Sequence, residues 1–200
     1  MPYDYTDAPP PQFELIPQDT VATVTMHIRA GGVGEDGMLK RSAKGDCEML
    51  DCEFVVTDGA CAKRKFWQYF VLEGTTDGHA EAAKISRGTL KAIIDGVLGL
   101  KPDDASAEAR AARTVSVKWF DGKSFIAKIG IEKGGPDGKG GVYNDKNRLA
   151  GVITPDKKEW HPVEQPPPFD GGGSAAGGAA PPNAAPPSAA PPIQRPGWAT

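Results

Sequence analysis

Hydrophobic and polar residues alternate along several short stretches of the chain, and this alternation is typical of half-buried β-strands. The stretches are residues 21–30, the two halves of 46–72, 114–120, 124–133 and 148–154. Asp58-Gly59 is a turn signal, so residues 46–72 predict an antiparallel hairpin. Asp121-Gly122 predicts a second hairpin from 114–120 and 124–133.

One region has the spacing of a helix instead. Its apolar residues recur three and four positions apart, and they are Leu90, Ile93, Ile94, Val97 and Leu98. Ser86 is the predicted N-cap and Gly99 the predicted end, and a short helical turn is predicted within 103–112. The order is three strands, a helix, then two or three strands. We therefore predict a mainly β fold, an OB-fold-like Greek-key barrel of five or six strands, although other small α+β folds share this order.

The composition divides the chain into three parts. Residues 1–14 contain three consecutive prolines and predict a flexible arm, and residues 15–165 hold the predicted OB-like domain. Residues 166–200 consist largely of Gly, Ala and Pro, a composition that predicts a disordered tail. Trp198 near the end of this tail is a candidate docking point for a protein partner.

Charge and cysteine content narrow the functional classes. The net charge of -3 indicates that a nucleic-acid-binding protein of this composition needs a local basic face. We expect no membrane span and no signal peptide, and hence a cytoplasmic protein whose three cysteines stay reduced.

Cys47 and Cys52 are predicted on opposite faces of one strand, and their spacing to Cys61 and His79 does not match zinc-ligand motifs. We therefore expect no metal and no cofactor, with Cys52 packed as a small hydrophobic residue.

We find no motif of an enzyme. Gly32-Val33-Gly34-Glu35-Asp36-Gly37 has the spacing of a dinucleotide-binding loop, but no helical pattern follows it. A mobile, basic loop between strands fits residues 31–45 better. Ser/His/Asp arrangements, phosphate-binding loops and zinc-protease motifs are missing from the sequence, which predicts a protein that is not an enzyme.

Residues 61–74, CAKRKFWQYFVLEG, combine basic and aromatic residues on one predicted strand. Alternation places Phe66, Phe70 and Leu72 on the inner face. The outer face then carries Lys63, Lys65, Trp67 and Tyr69. Rings that stack on bases and cations that pair with phosphates are what single-stranded nucleic acid requires. The alternative is that Trp67 and Tyr69 are core residues, since strands commonly bury large rings.

Two further segments add basic and aromatic residues. In an OB barrel, residues 31–45 and 133–148 would be the loops that frame the binding face. These segments, together with Lys128 of the predicted strand 124–133, supply the candidate nucleic-acid-binding residues of one groove. They are Lys40, Arg41, Lys44, Lys63, Lys65, Trp67, Tyr69, Lys128, Lys139, Tyr143, Lys146 and Arg148.

Two parts of the chain resemble a family of small phage and prophage proteins of uncharacterised function, encoded beside recombination and replication genes. They are MLKRSAKGDCEMLDCEFVVTDGACAKRKFWQYFVLEG and YNDKNRLAGVITPDKKEW, and the resemblance extends over about residues 15–160. It implies an OB-like domain that binds single-stranded DNA in phage DNA metabolism, in the bacterial host cytoplasm. Many bacterial single-stranded-DNA-binding proteins end in an acidic tip, whereas no acidic residue follows Asp170 here.

The leading hypothesis is therefore a sequence-tolerant single-stranded-DNA-binding protein of phage replication or recombination, not an enzyme, and a candidate homo-oligomer. The first alternative is an accessory or structural interaction protein that uses the Pro/Ala-rich tail as a tether and binds no nucleic acid. A nuclease with scattered carboxylates is the third, and the sequence lacks the clustered acids that its metal ions would need.

Overall fold

A six-stranded antiparallel sheet forms the fold in this computed structural model, which describes residues 14–136 and 141–166. The strands are β1 (Thr20–Ile28), β2 (Lys40–Arg41), β3 (Cys47–Val56), β4 (Lys65–Gly74), β5 (Lys123–Glu132) and β6 (Lys146–Val152). The helices are α1 (Asp77–Leu98), α2 (Ala107–Ala112) and a 3₁₀ turn (Val117–Phe120). The mainly β class and the hairpin over 46–72 are confirmed. Residues 1–13 and 167–200, which hold nearly all of the predicted arm and tail, lie outside the described residues.

The strands are ordered β4-β3-β1-β5-β6, with the short β2 also pairing with β3. No ladder joins β4 to β6 within the described part of the chain, so the sheet is open there. We call this gap the β4–β6 seam. One hydrogen bond crosses it, from the backbone N–H of Leu149 to the side-chain oxygen of Gln68 at 2.9 Å.

The inner face of the sheet and α1 enclose the core. Phe54 lies at its centre, with its ring stacked on Phe66 at 4.9 Å between centroids. The edges of Phe70 and Phe125 meet the same ring at 6.3 and 6.2 Å. Phe66 and Phe70 come from β4, so the predicted inner face of that strand is confirmed. Burial of these rings removes about 150–250 Å² of surface each from water.

Helix α1 begins nine residues before the predicted N-cap. Thr76 is the cap, and its hydroxyl accepts a hydrogen bond from the backbone N–H of His79 at 3.2 Å. Ser86 is instead buried inside the helix. The prediction failed because the apolar stripe begins only at Leu90, while most side chains of the first turns are exposed. The predicted end is confirmed, since Gly99 adopts a left-handed conformation with φ 69°.

The predicted strand over 114–120 is wrong. Val117–Phe120 forms a 3₁₀ turn in which Trp119 N–H bonds to the carbonyl of Ser116 at 3.1 Å. β5 pairs with β1 along one edge and with β6 along the other, so it leaves no free edge for a hairpin partner. The alternating apolar residues of 114–120 therefore pack as a turn, with Phe120 in the core.

The β3–β4 ladder contains a bulge. Its register shifts between Glu48 and Met49 because the step from Glu73 to Val71 on β4 opposes a single step on β3, which leaves Leu72 as the extra residue. Cys47 and Cys52 are both buried, and Cys52 belongs to the core cluster whereas Cys47 does not. Glu48 is partly buried and pairs with Arg41 at 2.6 Å.

Two connecting segments are more ordered than a plain loop. Residues 31–45, predicted as a loop, contain β2 and a bridge between Val33 and Leu39. Within the predicted turn at 103–112, α2 is confirmed as a short helix capped by Ser106.

Among the described residues, no helix has both the length and the apolar character needed to cross a membrane.

Candidate nucleic-acid interface

The outer face of β3 and β4 presents two aromatic rings to solvent. Trp67 is 47% exposed and Tyr69 is 52% exposed. Their exposure confirms the predicted split of β4 and excludes the alternative that these rings fill the core. Across the ladder, Trp67 lies opposite Glu53 and Tyr69 lies opposite Asp51, so an acidic residue stands beside each ring.

Glu53 holds both the indole and a neighbouring lysine. Trp67 Nε1 donates a hydrogen bond to Glu53 Oε2 at 3.1 Å, and Lys65 Nζ donates to Oε1 at 2.7 Å. The hydrogen bond from Lys65 holds the pKa of the Glu53 carboxyl below its usual value. The carboxylate is therefore ionised at neutral pH and fixes the orientation of the indole ring.

Asp51 lies beside Tyr69 and is paired with two cations. Its buried carboxylate receives hydrogen bonds from Arg29 at 2.7 and 2.8 Å and from Lys40 at 3.0 Å. Burial tends to raise the pKa of Asp51, but the hydrogen bonds from Arg29 and Lys40 outweigh it and the net shift is downward. The Lys40 ammonium also lies 5.4 Å from the centre of the Tyr69 ring, within cation–π range.

We call Arg29, Lys40, Lys65, Trp67 and Tyr69 the aromatic–basic face. Its three cations exceed the two carboxylates beneath them by one charge, so the face is only weakly positive. Each cationic side chain is nevertheless about half exposed, whereas the carboxylates lie deeper. Outward N–H groups are thus left for a ligand.

Arg29 was not among the predicted site residues. Alternation in the predicted strand 21–30 already places it on the outer face, together with the exposed His27. Its position next to Tyr69 depends on the pairing of β1 with β3, which brings the end of β1 to Asp51. The signal that could have identified it was therefore the combination of alternation and strand order.

The remaining basic residues of the first loop and the hairpin turn lie in segments next to β3. Arg41 is engaged by Glu48, while Lys44 is exposed in the turn before β3. Lys63 is exposed in the β3–β4 turn, where it adopts a left-handed conformation with φ 71°. Lys44 and Lys63 therefore lie beyond opposite ends of β3.

Residues of the second loop are brought only partly to this face. Lys146 helps to line a cleft of about 780 Å³ at the β4–β6 seam, whose other walls include Lys65, Phe66 and Trp67. Lys146 also pairs with Glu132 at 3.3 Å. Arg148 is exposed on β6, next to the residue that crosses the seam.

Three other predicted residues stand apart from this cleft or outside the structure. Tyr143 is exposed, and its backbone N–H bonds to Gly135, but its side chain is not part of the cleft wall. Lys128 lies on β5, two strands from β3, and pairs with Asp19 at 2.9 Å. Lys139 lies outside the described residues.

The cysteines differ in their ability to bind a metal. Burial raises the pKa of the Cys52 thiol far above its usual value, so this group does not ionise readily. Cys47 instead lies in a cluster with Asp46 and His79, whose ligand atoms are all within 4.8 Å of one another. Of the zinc ligands weighed from the sequence, only Cys47 and His79 are brought together in this cluster.

Comparisons with known proteins give no relative for this chain: no family model, curated protein or solved structure matches it.

Proposed function

We propose that this protein binds single-stranded DNA on the aromatic–basic face, with little dependence on base sequence. The supporting observation is the pair of half-exposed rings, Trp67 and Tyr69, on one strand with cations beside them. Two residues along a strand are about 6.8 Å apart, so the two rings can each take one base. Such a base–aromatic stack contributes about 1–3 kcal/mol and accepts any base, because every base has a π-face.

The cations would contact the phosphates. Arg29, Lys40 and Lys65 are each held by a carboxylate on one side and exposed on the other. This arrangement orients the donors but offsets much of their charge. We therefore expect a shallow salt dependence, with a slope of log K against log salt between about −0.7 and −2 for one to three effective charges on a single strand.

The strand order supports a finer fold assignment as part of this proposal. A sheet ordered β4-β3-β1-β5-β6, with a helix between β4 and β5, has the connectivity of an OB-fold. In an OB-fold the outer face of the second and third barrel strands, here β3 and β4, is a usual place for single-stranded nucleic acid. A protein of this kind would coat exposed strands during phage replication or recombination in the host cytoplasm.

A binding titration with a matched variant tests the proposal. Fluorescence anisotropy of a labelled oligo-dT is measured with the wild type, with Trp67→Ala and with Ile85→Ala, which removes an exposed apolar side chain from α1. Loss of one stack should weaken binding about 5- to 150-fold for Trp67→Ala, the equivalent of about 1–3 kcal/mol. Ile85→Ala should bind like the wild type. Thermal unfolding of each variant confirms that the domain is folded.

Three results would argue against the proposal: equal affinity for duplex DNA, equal affinity of Trp67→Ala and wild type, or no binding at low salt. An oligo-rU of the same length measures the preference for DNA over RNA. If oligo-dT does not bind and the wild type self-associates in sedimentation while Trp67→Ala does not, the alternative of an interaction protein is favoured. The rings would then serve a protein contact.

A further inference from the structure

A second cluster of reactive side chains lies at the other end of the β3–β4 hairpin from its turn. Asp46 and Cys47 stand at the start of β3, and His79 is the third residue of α1. One ligand atom from each residue, a carboxylate oxygen, the Sγ and a ring nitrogen, lies within 4.8 Å of the other two. Asp46 and His79 are 33 positions apart in the sequence, so it is the folding of the chain that brings the three side chains together.

The backbone around Gly74 makes this approach possible. Gly74 pairs with Cys47 in the β3–β4 ladder, and the His79 ring rests directly on it. A Cβ at Gly74 would lie 2.4 Å from the Cβ of His79 and 2.8 Å from its Nδ1. The absence of a side chain at position 74 therefore lets the imidazole reach the start of β3, where Cys47 is buried.

The Nδ1 atom of His79 is buried and has no hydrogen-bond partner in the described part of the chain. Buried polar atoms are rarely left in this state, because an unmade hydrogen bond destabilises the folded protein. An atom without a partner next to a thiol and a carboxylate suggests a ligand that completes the group.

Asp46 is held in place for such a role. The Ser42 hydroxyl donates to Asp46 Oδ1 at 2.6 Å and accepts from the Asp46 backbone N–H at 3.1 Å. Partners of this kind orient metal ligands and strengthen binding.

We propose that Asp46, Cys47 and His79 bind a zinc ion, with water as the fourth ligand. Thiolate, imidazole and carboxylate are the three ligand types that zinc takes in proteins, at about 2.0–2.3 Å. Tetrahedral ligands at these lengths are about 3.4 Å apart, so the side chains need to close by about 1 Å or a little more. Binding converts the Cys47 thiol to a thiolate and releases its proton to solvent. The ion would join the start of β3 to the first turn of α1.

Cobalt provides the direct probe, because a cobalt–thiolate bond adds charge-transfer absorption in the near ultraviolet. The full chain is stripped with a chelator, titrated with Co²⁺ under reducing conditions, and then titrated with Zn²⁺. We expect one Co²⁺ per chain, the charge-transfer band, and loss of the band when Zn²⁺ displaces cobalt. The melting temperature of the wild type should rise with added Zn²⁺.

Matched variants identify the ligands. Cys47→Ser should abolish the band, whereas Cys61→Ser, at the half-buried cysteine outside the cluster, should keep it. Asp46→Asn retains the size of the side chain and should weaken Co²⁺ binding. Ser42→Ala should weaken it about 10- to 100-fold, since it removes the hydroxyl that orients Asp46 and accepts from the backbone N–H of Cys47 at 3.4 Å. Asp46→Asn and Ser42→Ala test the site even if a change at His79 prevents folding.

The proposal fails if the wild type shows no thiolate band and no zinc-dependent rise in melting temperature. It also fails if the band persists in Cys47→Ser or is lost in Cys61→Ser. Binding of oligo-dT to the same preparations is a separate measurement, because the cluster does not include any residue of the aromatic–basic face.

Discussion

Replacing Glu53 by glutamine separates the charge of the aromatic–basic face from its shape. In the wild type the Glu53 carboxylate accepts hydrogen bonds from Lys65 Nζ at 2.7 Å and from Trp67 Nε1 at 3.1 Å. Glu53→Gln keeps one oxygen for the indole N–H and removes the negative charge that offsets Lys65. Because the Lys65 side chain is about half exposed, the lost ion pair should cost at most about 1 kcal/mol of stability.

The expected gain in DNA affinity follows from the charge balance. The face carries one net positive charge, and Glu53→Gln raises this to two. For single strands each additional neutralised phosphate adds about −0.7 to the slope of log K against log salt. At 0.1 M salt one charge therefore strengthens binding about 5-fold, and near 1 M salt the gain should vanish.

The assay is an anisotropy titration of labelled oligo-dT at several salt concentrations. Glu108→Gln on α2 is the control, because it changes the net charge of the protein by the same amount at an exposed position away from the sheet. Glu53→Gln should bind more tightly and with a steeper slope, while Glu108→Gln should match the wild type. Equal or weaker binding by folded Glu53→Gln, or the same gain in both variants, would refute the assignment of this face.

Two further predictions concern stability. Asn147 is buried, and its side chain bonds to the backbone N–H and carbonyl of Ile16 at 2.9 and 2.8 Å. Asn147→Ala should lower the free energy of unfolding, measured by urea titration, by about 1–3 kcal/mol. Asn144→Ala, at an exposed position, is the control and should leave it unchanged. Equal free energies of unfolding for the two variants would contradict this prediction. The pKa of Asp51 in the folded protein lies below the usual 3.8. Its ion pairs therefore stabilise the fold fully above pH 3.8, and this stabilisation is lost as the pH falls through the folded pKa. In urea titrations between about pH 5 and 2, the free energy of unfolding should fall less for Asp51→Asn than for the wild type, and an equal fall in both proteins would contradict this.

Alternation along β4 predicted the most about the candidate site, because side chains in a strand point to opposite faces by geometry. It assigned Phe66 and Phe70 to the core and Trp67 and Tyr69 to solvent, as observed. It did not predict that most of the basic residues are already paired with acids. That outcome depends on which residues of β1, β2 and β3 lie side by side, and this register is set by turns and a bulge rather than by any single stretch.

The errors in the fold have a common physical origin. Residues 114–120 have the pattern of a strand, but β1 and β6 occupy both edges of β5, their predicted hairpin partner. The first turns of α1 lack an apolar stripe, because only the later part of the helix packs deeply. In both cases tertiary context overrides the local pattern. The Asp46–Cys47–His79 cluster was missed for a related reason, since it depends on the packing of the first turn of α1 over Gly74, which no local pattern indicates.

Among the described residues, one hydrogen bond, from the Leu149 N–H to the Gln68 side chain, joins β4 to β6. Strands joined by a ladder separate only when several backbone hydrogen bonds break together, whereas β4 and β6 share no ladder at the β4–β6 seam. Local opening should therefore begin at this seam, and the Leu149 amide should exchange its hydrogen faster than the amides of β5, which is paired along both edges. The cleft beside Trp67 lies at the same seam, so its width can fluctuate while the rest of the sheet stays intact.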